Sequence, residues 1–234
     1  MESLKRTKLL IGEDNINLLK NKHVCIFGLG GVGGHAIDAI VRSGIGEVTL
    51  IDNDIVSESN INRQLIASYK TLGRKKTEVM KEHLLDLNPN LRVNLFNMFV
   101  LPNNIDEIDF SKFDYVVDAI DTVTAKLEII KKCDKIGIPL ICSMGTGNKL
   151  NPTDLYVTDI YKTSYDPLAK AIRKKCRDLK IKKLKVVCSK EISKKTISLE
   201  ESTATKHVPG SIAFVPSVAG EIIASEVIKD LIKM

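Results

Sequence analysis

HVCIFGLGGVGGHAIDAIVRSGIGEVTLIDNDIVSESNINR, residues 23 to 63, decides how the rest of the chain is read. An apolar run from Val24 to Phe27 ends in glycines at 28, 30, 31 and 33. An amphipathic segment follows from Gly34 to Ser43, and a second apolar run, Val48 to Ile51, closes on Asp52. Strand, glycine turn, helix, strand and acid in that order form a nucleotide-binding βαβ unit. Gly28 permits the tight turn, Gly30 and Gly31 let backbone N–H groups approach phosphate oxygens, and Gly33 lets the helix lie close on the strand. The helix N-terminus offers unpaired donors and partial positive charge to an anion. Asp52, nineteen residues after Gly33, stands where a carboxylate accepts ribose hydroxyl protons.

The rest of the composition fits an ordinary globular chain. The 234 residues suffice for one large α/β domain or two small ones, with 44% hydrophobic and 27% charged residues. The start, MESLKRTKLLIG, lacks the apolar core of a signal peptide, and Ser211 to Ile232 is interrupted by Glu221, Glu226, Lys229 and Asp230. No transmembrane segment and a cytoplasmic location are therefore expected. Five cysteines at 25, 133, 142, 176 and 188 contain no CxxC pair and suggest neither a zinc site nor a disulfide framework.

Net charge is +6 but unevenly distributed. Between Lys170 and Lys195 stand twelve basic and two acidic residues, leaving 23 basic against 27 acidic in the remainder. A charge run is often only a solvated face, but a basic patch on an otherwise acidic chain also suits a phosphate backbone.

Taken in order, residues 4 to 20 have helical spacing, with Arg6 ahead of Leu9 and Leu10. Lys70 to Leu87 reads as a helix carrying Lys75 and Lys76 in its first turns, ended by Asn88-Pro89-Asn90. Val93, Leu95 and Phe99 suggest a third strand. Tyr115 to Val117 is a fourth, closing on DAIDT, Ala125 to Ile136 a helix, and Pro139 to Ser143 a fifth strand. This alternation predicts a mostly parallel, doubly wound, Rossmann-like sheet. Beyond residue 145, Leu155, Val157 and Ile160 alternate like a strand, 166 to 183 reads as a basic helix, and Leu184 to Cys188 as another strand. Lys190 to His207 reads as a loop, and the chain closes on a helix with Val218, Ile222, Ile223, Val227 and Leu231 at helical spacing. A single domain over 1–234 is expected, with a nucleotide half (1–150) and a substrate-facing half (151–234).

The nucleotide could be a redox dinucleotide or ATP. Asn60, Arg63, Gln64 and Lys76 follow Asp52 closely, and Asp118 and Asp121 follow the fourth strand. Ligands of open α/β sheets bind at the carboxyl ends of strands, so these groups should share one crevice. Cations beyond the glycine turn suit a triphosphate, and a carboxylate such as Asp121 suits the magnesium that bridges phosphates. A GxxxxGK[ST] loop is absent, which excludes a P-loop ATPase.

Arg6 in RTKLLIG, the GLGGVGG turn, LIDNDIVSESNINRQ, GRKKTEVM and DAIDT together resemble the ThiF/MoeB superfamily of ATP-dependent carboxylate adenylators, related to ubiquitin-activating enzymes. The resemblance implies that Gly28, Gly30, Gly31, Gly33, Asp52, Asp54, Asn60, Arg63, Gln64, Lys76 and Asp121 bind ATP. Asp52 would take the ribose, Asn60, Arg63 and Lys76 the phosphates, and Asp121 the Mg2+. Arg63, Lys76 and Asp121 would serve the chemistry together with Arg6, whose counterpart in dimeric members reaches the partner's ATP. A homodimer follows from that implication. SMGTGNKLNPTDLYVTDIYKTSYDPLAKAIRKKCR and KVVCSKE resemble, within the superfamily, the branch that dehydrates threonylcarbamoyladenosine in tRNA. In that branch ATP activates the threonyl carboxylate of the modified adenosine, which then cyclises on itself. The resemblance leaves open a monovalent cation and a sulfur-transfer partner.

Two departures from the wider superfamily favour this branch. Members that adenylate a sulfur-carrier protein commonly carry two CxxC pairs, and none exists here. They also use a cysteine nucleophile; here only Cys176, in RKKCRD, has neighbours that would lower its pKa, and it reads rather as an incidental helix-face cysteine. Adenylation of a carrier's C-terminal glycine is the alternative function, and an NAD-binding module a third. On the first reading the basic segment docks tRNA, and Ser143, Thr146 and Asn148 line the pocket for the modified adenosine.

Overall fold

The computed structural model describes residues 2–194 and 209–234; the expected loop beyond Lys194, with His207, lies outside the described residues. Seven strands form one sheet in the order β3-β2-β1-β4-β5-β7-β6. They are β1 (His23–Phe27), β2 (Glu47–Ile51), β3 (Arg92–Phe96), β4 (Tyr115–Asp118), β5 (Leu140–Ser143), β6 (Leu155–Asp159) and β7 (Lys185–Ser189). All neighbours pair in parallel except β6 with β7, which is antiparallel and closes one edge. The sheet is therefore the doubly wound α/β type predicted, extended by C-terminal strands.

Continuous apolar runs form the central strands because helices cover both faces, as parallel sheets require. Every residue of β1 is buried. The helices are α1 (Lys5–Ile11), α2 (Glu13–Leu19), α3 (Gly33–Arg42), α4 (Lys76–Leu87), α5 (Val123–Ile136), α6 (Pro167–Asp178) and α7 (Phe214–Ile232). On one face, α7 lies on α3, burying Val215, Ala219, Ile223 and Val227 against Ala36, Ile37 and Ile40. Gly220 permits that approach, because a Cβ there would stand 2.5 Å from the Val32 carbonyl oxygen. On the other face, α5 buries Ala125, Ile129 and Cys133 with Phe27, Phe110 and Val116. A third cluster joins α6 (Ala169, Ile172, Cys176) to Cys142, Val186 and Cys188.

Element boundaries moved where local geometry outweighs periodicity. Residues 4 to 20 form two helices, because Gly12 adopts φ +84° and breaks the run. The helix expected from Lys70 begins at Lys76. Gly73, at φ +78°, turns the chain, and the Lys76 N–H is engaged by the Asp54 carbonyl at 3.0 Å. The basic helix ends at Asp178 rather than 183, where left-handed Lys180 lets the Ile181 N–H donate to the Cys176 carbonyl. That turn sends Ile181 and Leu184 into the core. Strand β3 stops at Phe96, leaving Phe99 45% exposed. Among the described residues no helix is long and apolar enough to cross a membrane.

Candidate active site

The sheet order reverses direction between β1 and β4, and there the glycine turn meets the DAIDT segment. Gly28 donates its N–H to Ile51 (2.8 Å), and Ala119 donates to Phe27 (2.8 Å), so the turn sits between the ends of β2 and β4. Gly28 has φ +89°, with Ala119 backbone 2.9 Å from where a Cβ would stand. At Gly33 the demand is steric alone: a Cβ would lie 1.8 Å from the Gly28 carbonyl oxygen. Gly30 differs, since the nearest atom to its virtual Cβ is Gln64 Nε2 at 3.9 Å. The protein has room for a side chain there, and the space opens into a cleft of about 700 Å³. This cleft is the crevice that the switch point predicts.

Of the predicted nucleotide residues, Gly28, Gly30, Gly31, Asp52, Asp54, Asn60, Arg63, Gln64, Lys76 and Asp121 all line it. Gly33 lies one step behind, at the helix–strand contact. Asp52 is fixed by two backbone donors, Leu29 at 2.6 Å and Asp54 at 2.8 Å. Burial raises its pKa above the usual carboxylate value, opposed by the Leu29 hydrogen bond and by nearby Lys76. Lys76 is only 4% exposed, and its ammonium lies 2.7 Å from Asp54 Oδ2. The Asn60 side chain accepts from Ser57 N–H at 3.2 Å, closing a capping box that shapes the loop carrying Arg63. Arg63 donates to the Ser59 carbonyl (2.9 Å) and to Asn62 (2.8 Å), with no carboxylate partner among the described residues. Gln64 is buried, and its Oε1 has no hydrogen-bond partner among the described residues. An unpaired buried acceptor calls for a donor from a ligand or a water.

The two aspartates after β4 separate. Asp121 is exposed in the cleft, and among the described residues its one side-chain hydrogen bond comes from its neighbour Thr122 at 3.4 Å. Asp118 is fully buried, 2.9 Å from the equally buried Lys126 ammonium, and so does not face a ligand. A carboxylate paired in the core holds structure; a free one in the cleft can hold a cation. Among the described residues no three metal-ligating side chains cluster, so a lone carboxylate here would share a divalent ion with phosphate and water. Asp121 fits that arrangement.

Past β5 the cleft continues along Ser143, Gly145, Thr146, Asn148, Lys149 and Asp166. Of the residues expected to recognise the substrate base, Ser143 is buried and donates to the Met144 carbonyl. Asn148 accepts from the Gly210 N–H at 2.7 Å, which among the described residues leaves Thr146 as the side chain of that trio without a hydrogen bond. Neither Lys149 nor Asp166 was expected in the site from the sequence, which marked Asp166 only as the start of the basic helix. They are 3.2 Å apart, with side chains 1% and 0% exposed. A lone Lys seventeen residues before an Asp carries no local signal, and only the fold brings them together.

No thiol is available for covalent chemistry. All five cysteines are buried. Cys176, the one with basic sequence neighbours, has its pKa pushed up to about 11 by burial, opposite to the activation its neighbours suggested. Cys133 is raised to about 12 by the same cause.

Comparison with known proteins identifies the family. The ThiF family model matches residues 4–234. The tRNA threonylcarbamoyladenosine dehydratase of Bacillus subtilis (strain 168) is 40% identical over 243 residues, covering 100% of this chain and 96% of the relative. The enzyme of the same name from Escherichia coli (strain K12) is 41% identical over 171 residues, covering 73% of this chain and 64% of the relative. Among solved structures, the E. coli tRNA N6-threonylcarbamoyladenosine dehydratase in complex with ATP superposes with a TM-score of 0.89 at 33% identity, covering 99% of this chain and 94% of that one.

Proposed function

The chain belongs to the ThiF family, and from that premise we infer that it uses ATP to activate the threonyl carboxylate of threonylcarbamoyladenosine in tRNA and closes it to a cyclic, dehydrated form. The observation that carries this reading is the similarity over the whole chain to enzymes of that name. The cleft supplies what the reaction needs. A carboxylate oxygen attacks the α-phosphorus of ATP and pyrophosphate leaves. A nucleophile within the same modified side chain then attacks the acyl carbon and expels AMP, which carries away one carboxylate oxygen. The substrate provides its own nucleophile, so five buried cysteines are no obstacle.

In this reading Asp52 accepts the ribose hydroxyls, the Gly28–Gly33 turn receives the phosphates, and Asn60, Arg63, Gln64 and Lys76 line their path. Arg63, without a carboxylate partner among the described residues, is free to swing onto phosphate. Lys76 must exchange Asp54 for it. Asp121 would hold the magnesium carried in with the triphosphate, whose charge offsets that of departing pyrophosphate. Incubation with ATP, magnesium and tRNA bearing threonylcarbamoyladenosine tests the whole proposal. Loss of one water from that nucleoside by mass spectrometry is expected; an unchanged mass rejects it.

Two further parts of the reading concern partners. The exposed face of α6 presents Lys170, Lys174, Lys175 and Arg177, followed by exposed Lys182 and Lys183. Lys185, in the same charge run, is instead committed to Asp230 and Glu226 at 2.7 and 3.2 Å, and Lys195 lies outside the described residues. The remaining charges form the surface assigned to the tRNA backbone. Reversing Lys182 and Lys183 to Glu should weaken tRNA binding, flatten its salt dependence and leave ATP affinity unchanged. Arg6 stands exposed on α1 beside Leu9 and Leu10, which are 83% and 82% exposed. Apolar side chains so placed suit a two-fold partner, and the proposed homodimer would bring Arg6 to the partner's nucleotide. Mixing an Arg6→Ala chain with an Asp121→Ala chain should restore one working site per heterodimer.

A further inference from the structure

The loop leaving β5 is held by two buried lysines in the same way. Lys126, on α5, donates one N–H to Asp118 (2.9 Å) and another to the Ser143 carbonyl (2.8 Å). Lys149 donates to Asp166 (3.2 Å) and to the Gly145 carbonyl (2.6 Å). Each ammonium thus joins a buried carboxylate to a backbone oxygen of one short loop, two residues apart. The carboxylates belong to different parts of the fold. Asp118 ends β4, three residues before Asp121. Asp166 caps α6, accepting the Ala169 N–H at 2.8 Å, and so stands at the root of the basic helix.

Buried ion pairs are a costly way to gain stability, because desolvating two charges offsets their attraction, and apolar residues of similar volume often serve as well. Their advantage is directional: an ammonium satisfied by a carboxylate and a carbonyl fixes both in one geometry. Here the fixed object is the Ser143–Lys149 segment, which lines the same cleft as the nucleotide residues. Gly145 contributes to the fit, since a Cβ there would lie 3.1 Å from Asp166 Oδ2.

We propose that Lys149 and Asp166 are positioning residues for the dehydration, clamping the Gly145 backbone so that the substrate end of the cleft keeps a fixed distance from the start of the basic helix α6. This rests on the tRNA-dehydrating function inferred above. The modified nucleoside enters a wall whose placement is set from one side by the β4 end that carries Asp121, through Lys126. From the other side it is set by the helix assigned to tRNA, through Lys149. A substrate docked on α6 then presents its carboxylate at the height of the ATP.

Asp166→Asn separates the clamp from the helix cap, because asparagine caps as well as aspartate while lacking the charge. Lys149→Met removes the ammonium at similar length. Each single variant leaves a buried partner unpaired and should lower Tm; the double variant Lys149→Met/Asp166→Asn leaves no unpaired charge and should recover most of that loss. The expected result is a double variant with recovered Tm, unchanged ATP and tRNA affinity, and kcat reduced on the order of 10²-fold, as misplacement of a reacting group by about 1 Å produces. Hydrogen–deuterium exchange over residues 143–149 should be faster in the double variant. A double variant with recovered Tm and wild-type kcat, or with unchanged loop exchange, overturns the proposal and leaves the pair a stability element only. If the wild-type protein fails to dehydrate the tRNA, the inferred function falls, whereas the exchange measurement still decides whether the pair holds the loop.

Discussion

Lys76 and Lys149 are both buried, both line the cleft and both pair with an aspartate, yet the roles proposed for them are opposite. The carboxylate facing Lys76 belongs to Asp54, whose side chain is 56% exposed; the one facing Lys149 belongs to Asp166, at 0%. Asp54 can be released into water when a phosphate takes its place, because an exposed carboxylate loses little on giving up an ion pair. Asp166 cannot, since it is sealed from water and held by Lys149 and the Ala169 N–H. Lys126 with Asp118, both at 0%, falls with Lys149. The exposure of the partner, rather than of the lysine, separates an ammonium that a ligand could draw from its carboxylate from one committed to the fold.

The glycine turn offers the sharpest break of that comparison. Gly30→Leu should leave Tm nearly unchanged, because its Cβ direction is open, while removing ATP binding below detection in calorimetry. Gly33→Ala should instead prevent folding, with a Cβ 1.8 Å from the Gly28 carbonyl oxygen. A Gly30→Leu protein that still binds ATP would remove the turn from the phosphate site.

Next in size are the residues proposed for the chemistry. Asp121→Ala and Lys76→Met should each lower kcat by about 10²-fold or more with a smaller change in ATP affinity, since their charge matters most as pyrophosphate departs. Wild-type turnover in Asp121→Ala would show that its carboxylate holds no metal.

Stability then sharpens the contrast between the two classes of lysine. Lys126→Met strands a carboxylate of 0% exposure and should cost about 3–5 kcal/mol in denaturant unfolding, whereas Lys76→Met leaves Asp54 to water and should cost about 1 kcal/mol or less. Equal losses would remove the distinction.

The smallest effect is in pH. Burial raises the Asp52 pKa, and only the ionised form accepts two ribose hydroxyl protons. ATP affinity should therefore weaken on acidification, with its midpoint above that of an ordinary aspartate, and Asp52→Asn should flatten the profile while lowering affinity throughout. For folding the sign is reversed. An acid whose folded pKa is raised contributes its stability below the unfolded pKa and loses it as pH rises through the folded one.

The nucleotide half was legible because its signals are local. A glycine at a turn, an acid at a strand end and a cation at a helix start each sit within a few residues of the element that positions them. Ten of the eleven predicted nucleotide residues line the one cleft for that reason. Periodicity also gave the strand sequence and the closing helix. It misplaced helix ends wherever a left-handed residue or a main-chain bridge intervened, as at Gly12, Gly73 and Lys180.

The substrate side was less legible, because its contacts join distant segments. Sequence ranked Asp118 with Asp121 and could not foresee that one would be sealed against Lys126 and the other left open. It proposed Ser143 and Asn148 as recognition groups; a local hydrogen bond to the Met144 carbonyl engages the first and a tertiary one from Gly210 the second. It counted Lys185 in a basic run that the fold divides, and gave Cys176 a reactive setting that burial reverses. What the amino-acid order determined was the identity of the groups and the order of the elements, since both follow from short-range sterics and hydrophobic period. Which charges face solvent, which face the cleft and which cancel in the core was decided only when the sheet brought β4, β5 and α6 together, because desolvation and pairing depend on neighbours far apart along the chain.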